Sequence, residues 1–418
     1  MHTARSEREP APRKGNGKTR FTITDAHQEF SKFFGKDFDM QTADATLAVA
    51  TANKLTGDPP WLMIISGSGN AKTETVNSVS GVERTIAIST IASEAALLSA
   101  TSNKKAGATG GILRRLGDQG VLVIKDFTSI ISGDRKARTQ ILAALREIHD
   151  GKWNRNVGAD GGQTILWEGR IIVVCACTTA WDTAYSVVAQ MGPRFITIRS
   201  SARVGREAAG QRSIRNTGKE NIIRSKITQV VTALINDARL DDDDAELSED
   251  EENKLVAAAD IVTLARTGVE TDYRGDVVDA HEPEMPTRFV KQLVLIFRGA
   301  LSIGIERKAA MALALRCARD SIPPIRLSVL EDLAADDNVL DNCRITDIAK
   351  RLGKPWTTVK RTLEALWVLK LVDCIDAKDK VDDEDGEADK KASKKVMYYK
   401  LAAEIGTGLK ALDPPHPP

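Results

Sequence analysis

Short apolar runs recur through the first half of the chain, at Trp61–Ile65, Thr85–Thr90, Val121–Lys125, Arg170–Cys177 and Phe195–Arg199. Most are rich in β-branched residues. They are nearly continuous rather than alternating, which is the pattern of strands buried on both faces. Between them, Ala92–Ala100 and Arg135–His149 carry apolar residues at helical spacing. Strands alternating with helices predict an α/β core of three layers, a parallel sheet covered on both sides. Upstream, Phe30, Phe33, Phe34, Ala43, Leu47, Ala50 and Leu55 predict a helical lead-in over Ala26–Leu55.

Beyond the fifth strand the spacing turns helical from Glu207 to Ser321, interrupted by the acidic run Asp241–Glu252. A block of like charge reads as a solvated loop. A third unit begins near Leu327. Asp379–Lys395 is a mixed-charge, low-complexity insertion, and Pro414–Pro418 reads as disordered. No internal repeat is visible. The expected division is a disordered basic tail (1–24), a core that holds the parallel sheet (25–205), a helical unit with an acidic loop (206–325), a third unit (326–403) and a tail (404–418).

Length and composition fit this plan. The chain has 418 residues, 42% of them hydrophobic and 28% charged. Domains hold roughly 100–200 residues each, so two or three are expected. The formal net charge is +1, so any nucleic-acid contact must come from a local patch. The five cysteines, Cys175, Cys177, Cys317, Cys343 and Cys374, form no CxxC pair. Their odd number and scatter fit reduced thiols in a cytoplasmic protein. No segment approaches about 18 uninterrupted apolar residues, so no membrane span is expected. Arg5, Arg8, Arg13, Lys14, Lys18 and Arg20 are followed by no apolar stretch, which argues against a secretory signal.

The strongest chemical signal follows the first strand: Ser66, Gly67, Ser68, Gly69, Asn70, Ala71, Lys72, Thr73, Glu74. Small residues let backbone amides wrap phosphates, and a helix N-terminus adds partial positive charge. Lys72 is placed to reach the β/γ-phosphates of ATP, and the Thr73 hydroxyl to hold Mg²⁺. Ser66 and Ala71 stand where the Walker A pattern has its first and last Gly. A Cβ at Ala71 crowds the nucleotide and disfavours positive φ, which leaves Gly67 and Gly69 to supply the freedom. The run Gly120–Asp126 is a strand ending in a carboxylate, and Asp126 is the second expected Mg²⁺ group. Phe127 occupies the place of the usual acidic neighbour. Glu74 and Glu94 are stand-ins for polarising the attacking water, with surface carboxylates as the alternative reading. Slow hydrolysis is the corollary.

The stretch Val121–Ile198 resembles the AAA+ ATPases that carry a β-hairpin before sensor 1, such as the bacterial enhancer-binding activators and the minichromosome maintenance helicases. The resemblance rests on Gln140–Gly151, Lys152–Gly158 and Gly169–Thr179, a helix, a hairpin and a strand ending in a polar residue. It implies that Thr179 is the sensor that touches the γ-phosphate or attacking water. It implies that Arg194, in Met191–Phe195, reaches into the neighbouring subunit's site of a hexamer-like ring, with a structural salt bridge as the alternative. It implies that Arg288, in Pro286–Leu293, is the lid arginine on the γ-phosphate. In such ATPases the hairpin touches DNA, a role open to Lys152 and Arg155, or is a structural excursion. The Ser-Gly-Asn-Ala-Lys-Thr-Glu loop is also similar to that of uncharacterised ATPases of actinobacterial phages and mobile elements.

Ile345–Gly353 reads as a short helix with a Gly C-cap, and Trp356–Leu369 as a second helix. Leu371–Ile375 and Val396–Leu401 read as a wing. This is the helix-turn-helix arrangement, with Lys354, Thr357, Thr358, Lys360 and Arg361 facing a major groove. A winged helix used for protein contacts is the alternative. Three functions compete: a DNA motor or remodeller such as a helicase or loader in replication, a nucleotide-sensing transcription regulator, and a binding module with an inactive phosphate loop.

Overall fold

A computed structural model describes residues 20–69, 71–99, 109–158, 163–185, 194–201, 206–241, 245–335, 343–376 and 397–412. Residues 1–19 of the basic tail, Asn70, the Asp379–Lys395 insertion and Pro414–Pro418 lie outside them.

The fold is mixed α/β around a five-stranded parallel sheet. Its strands are β1 (Trp61–Ile65), β2 (Thr85–Ile88), β3 (Gln119–Ile124), β6 (Arg170–Cys177) and β7 (Phe195–Arg199). A hairpin, β4 (Lys152–Val157) and β5 (Gln163–Glu168), leads into β6. The spatial order is β2-β3-β6-β1-β7. In β1, successive side chains serve opposite layers. Trp61, Met63 and Ile65 join one apolar cluster, Leu62 and Ile64 the other. That alternation is why a continuous apolar run, rather than a striped one, marks this strand.

The lead-in folds as α1 (Ile23–Phe34) and α2 (Met40–Thr51). Thr22 and Asp25 form a capping box at the start of α1, so the helix begins inside the segment expected to be tail. After β1 come α3 (Lys72–Asn77) and, before the hairpin, α4 (Arg135–His149), whose N-cap is Asp134. The helix expected over Ala92–Ala100 shrinks to one turn, Glu94–Leu97.

The lid contains α5 (Arg206–Asn216), α6 (Glu220–Asp237), α7 (Glu249–Ala265), α8 (Thr287–Ser302) and α9 (Arg307–Asp320). Two expectations fail here. The acidic run is not all loop: Ser248 caps α7, and Glu249, Asp250, Glu251 and Glu252 form its first turn. Carboxylates are favourable there because the helix N-terminus is electropositive. The region is also not wholly helical, since β8 (Val269–Thr271) and β9 (Val277–Ala280) make an antiparallel hairpin.

The C-terminal unit holds α10 (Pro324–Ala334), α11 (Ile345–Leu352), α12 (Trp356–Val368), β10 (Val372–Asp376) and β11 (Met397–Leu401). The strands pair antiparallel, and Arg344 bridges to Tyr398. Gly353, at φ 59°, ends α11 in the left-handed conformation. Buried Ile348, Val359, Leu363 and Leu366 belong to the same apolar cluster as the lid. The expected C-terminal tail instead contributes α13 (Ile405–Ala411), with Ile405 and Leu409 buried. No helix among the described residues is long and apolar enough to cross a membrane.

Gly299 of α8 lies directly against the backbone of α2. A Cβ built there would lie 2.2 Å from the carbonyl oxygen of Ala48 in α2. Gly299→Ala is expected to destabilise the protein by about 1–3 kcal/mol in urea unfolding, because one helix must move off the other. Gly210→Ala in α5, where a Cβ meets open space, is expected to be neutral or stabilising by up to about 1 kcal/mol. Equal effects at both positions would contradict this packing.

Candidate functional site

β1 lies where the sheet reverses direction. Its onward chain crosses β6 and β3 to reach β2, while the chain after β6 crosses β1 to form β7. In open parallel sheets the crevice beyond the carboxyl ends of such strands is where ligands bind. The loop leaving β1 is tied on both sides: Ser66 N donates to Cys177 O at 3.2 Å, and Ser200 N donates to Ile65 O at 3.0 Å. Gly69 has φ 81° and Ala71 has φ 58°. The left-handed turn is thus kept at Ala71 and is not passed wholly to the glycines. Lys72 folds back and donates to Gly67 O at 2.8 Å. Burial pushes its pKa down, while Cys177 and Asp126 act the other way. Thr73 is exposed beside it.

Asp126 follows β3 on the same carboxyl edge. Its carboxylate accepts from Thr128 N at 3.0 Å, and the Thr128 hydroxyl accepts from Thr178 N at 3.0 Å. This corner links the ends of β3 and β6. Thr179 is exposed one residue further on, so the residue bonded into the strand end is Thr178. Thr128 and Thr178 carry no motif, and the sequence offered no signal for them.

Each stand-in glutamate is ion-paired with an arginine. Arg224 of α6 grips both oxygens of Glu74, with Nε at 3.0 Å from each and Nη2 at 2.7 Å. Glu94 accepts from Arg155 at 2.9 Å. That bond also removes Arg155 from any DNA-contacting tip, because the same guanidinium donates to Leu98 O at 2.6 Å. Lys152 pairs with Glu168 across the hairpin at 3.0 Å. The hairpin's Trp153 and Trp167 are buried, so its base is a structural part of the core.

A cavity of about 660 Å³ opens against the loop. Lys72, Thr73 and Glu74 line one side. Phe33, Phe34 and Phe38 of the lead-in line another, and Arg212 of α5 closes a third. The Phe34 and Phe38 rings stack at 4.6 Å. Arg212 Nη1 reaches Ser31 O at 3.3 Å, while its buried Nε makes no hydrogen bond. The apolar spacing of the lead-in predicted its helices but not that their Phe edge would face the loop.

Arg194 and Arg288 are not brought to this edge. Arg194 immediately precedes β7, and Phe195 is level with Trp61, the first residue of β1. The two ends of β1 are roughly 13 Å apart at about 3.3 Å per residue. Arg194 pairs with Asp150 at 3.0 Å, which is the salt-bridge alternative. Arg288 pairs with Glu284 at 2.9 Å, and Glu284 also holds Arg266 at 3.0 Å. Arg288 thus stands in the charge cluster of Arg194 and His149 rather than beside Lys72. His149 is buried in the same cluster, 3.1 Å from Gln292 Nε2. Burial first, then the charges of Arg194 and Arg288, push its pKa down to about 4.

In the C-terminal unit, Lys354, Thr357 and Thr358 are exposed, as a groove-facing role requires. Lys360 is half-buried, and Arg361, though exposed, is not clear of the protein. Both approach Asp276 of the β8–β9 turn at 3.9 Å. Among the described residues no group of three or more His, Cys, Asp or Glu side chains is arranged to hold a metal. No family model matches the chain, and neither does any curated protein.

Two outcomes follow. Ala71→Gly is expected to raise unfolding stability by up to about 1 kcal/mol, the left-handed cost of a Cβ less the added freedom of the unfolded chain. A loss of stability would show that Ala71 is not held at positive φ. His149 titrates near 6.5 when unfolded and near 4 when folded, so its stabilising effect is full above 6.5 and is lost as pH falls towards 4. The loss amounts to about 3 kcal/mol. His149→Asn is expected to flatten the stability profile between these limits; an unchanged slope would contradict the assignment.

Proposed function

We propose that the chain binds ATP with Mg²⁺ at the carboxyl edge of the sheet. In this reading it acts as an AAA+-like ring oligomer on DNA, as a helicase, a helicase loader or a related remodeller. The observation that carries the reading is that Lys72 and Asp126 lie within electrostatic reach of each other on one sheet edge, with Lys72 and Thr73 lining a cavity large enough for a nucleotide. The amides of 66–73 would wrap the phosphates, with Lys72 exchanging Gly67 O for phosphate oxygens. Thr73 and Asp126 would hold Mg²⁺. One hydroxyl and one carboxylate suit a hard cation that takes its remaining ligands from phosphates and water. Phe33, Phe34 and Phe38 offer an apolar wall for the base. In a ring, Arg194 would serve a neighbouring subunit, because it lies at the amino edge of its own. The C-terminal unit would supply DNA contact as a winged helix, a reading supported by the Gly353 turn and the β10–β11 ribbon.

A second reading is favoured by the ion pairs on Glu74 and Glu94. With both carboxylates held by arginine, turnover would be slow, and the domain would sense nucleotide on behalf of a DNA-binding regulator.

The test is equilibrium binding of a fluorescent ATP analogue, together with phosphate release measured with and without DNA. Lys72→Ala is expected to weaken nucleotide binding about 10–100-fold, the loss of a charged hydrogen bond to phosphate. Chelation of Mg²⁺ should weaken it as well. Arg194→Ala should retain binding and lose turnover, with partial recovery when mixed with Lys72→Ala subunits. Binding without turnover selects the sensing regulator. Wild-type protein that ignores millimolar ATP ends both readings.

A further inference from the structure

The turn between β8 and β9 is acidic on one side, and it rests on the helix nominated for the DNA groove. Asp272 shapes the turn, its carboxylate accepting from Arg274 N at 2.8 Å and Asp276 N at 2.9 Å. Asp276 is left to face α12, where Lys360 Nζ and Arg361 Nε each stand 3.9 Å away. Arg361 also donates to the backbone carbonyl of Arg274. The turn is fitted to that guanidinium. Gly275 has φ 81°, and a Cβ there would lie 3.0 Å from the Arg361 guanidinium carbon. A side chain at 275 would push Arg361 away, so the glycine permits the contact as well as the turn. Lys360 has a further partner in Glu364 at 3.2 Å.

We infer that the β8–β9 turn occupies the basic side of α12 in place of nucleic acid, so that duplex DNA and the turn compete for Lys360 and Arg361. The inference rests on the DNA reading of the C-terminal unit. A carboxylate and a backbone carbonyl on one guanidinium present the acceptor chemistry that a phosphate would. Lys354, Thr357 and Thr358 remain exposed. Wild-type protein therefore engages DNA through part of the helix, weakly, until the turn is displaced. The hairpin belongs to the lid, between α7 and α8, so lid movement is the natural source of displacement.

The experiment measures binding of the full-length protein to a short fluorescent duplex of mixed sequence over a range of salt. Asp276→Asn is expected to tighten binding about three- to tenfold, since each pair is partly exposed and individually weak. The salt dependence should steepen by about one to two units as two cations become available to phosphates. Arg361→Ala in the Asp276→Asn background should reverse both effects. Asp279→Asn, which removes the same charge from the same hairpin where the carboxylate bonds Ala280 N, should do neither. Equal tightening by Asp279→Asn would overturn the inference in favour of a general charge effect. DNA binding that Asp276→Asn leaves unchanged, but Arg361→Ala abolishes, would overturn the occlusion while keeping the DNA reading. Absence of binding by every variant, with folding verified by circular dichroism, would remove the DNA reading itself.

Discussion

The arrangement of this protein depends on β1 being held from both sides. The strand is hydrogen-bonded to β6 and β7 along its length, and both of its faces are buried. Its amino end is fixed by Trp61, whose indole donates to Ile171 O at 2.9 Å and packs on Phe195 and His149. Within one subunit that end is taken up by packing. Parallel strands all finish on the same edge, and β1 finishes where its neighbours lead away in opposite directions. The chain must turn sharply there, on backbone amides that no strand can satisfy. The small residues, Lys72 and Thr73 sit at this turn.

The loop and the lid are joined by charge. Glu74 leaves α3 and is gripped by Arg224 of α6. A second link runs from the end of β7: Arg199 N donates to the Asp320 carboxylate at 2.7 Å, and Arg316 joins Asp39 to Arg199 O. Asp39 and Glu74 both line the cavity. Burial raises the pKa of Asp320, while the flanking arginines act to lower it. A polyanion entering the cavity would meet these carboxylates as well as Lys72 and Arg212. Repulsion would act on Glu74 and Asp39, the carboxylates that tie the loop and the lead-in to the later helices, while attraction would act on Lys72 and Arg212, whose present acceptors are backbone carbonyls. Breaking a partly buried pair costs more than an exposed one, since the abandoned charge must be rehydrated or repaired.

Much of the core was legible because its signals are local. Continuous apolar runs marked three of the strands to the residue; Val121–Lys125 became Gln119–Ile124, and Thr85–Thr90 stopped short at Ile88. The loop was legible because Lys-Thr after a buried strand has few other uses. What was not legible depends on long-range pairing. Arg155 reads as a hairpin-tip cation until the fold brings Glu94 to it across 61 positions. Arg288 reads as a lid arginine until Glu284, four residues back, claims it. The β8–β9 hairpin was missed because Glu270, Asp272 and Asp276 suppress any apolar alternation, leaving a short turn-rich stretch between helices. α13 was missed for the opposite reason: seven residues are too few to establish a period.

The near-neutral charge of the chain takes on a different meaning in this light. Almost every basic side chain nominated for a ligand already has an acceptor inside the protein: Gly67 O for Lys72, Glu168 for Lys152, Glu94 for Arg155, Asp150 for Arg194, Glu284 for Arg288 and Asp276 for Arg361. Binding of phosphate to any of them is therefore an exchange rather than an addition. The net gain is the difference between two similar interactions, which keeps affinity modest in the closed arrangement. The same exchange sets free an internal acceptor each time, and the freed group must find water or a new partner. A polyanion bound at one site would thus disturb contacts of the later helices, the hairpin or the strand ends. If polyanions bind here, such a chain would couple binding to internal rearrangement, whereas one carrying the same cations unpaired on its surface would bind more tightly and move less.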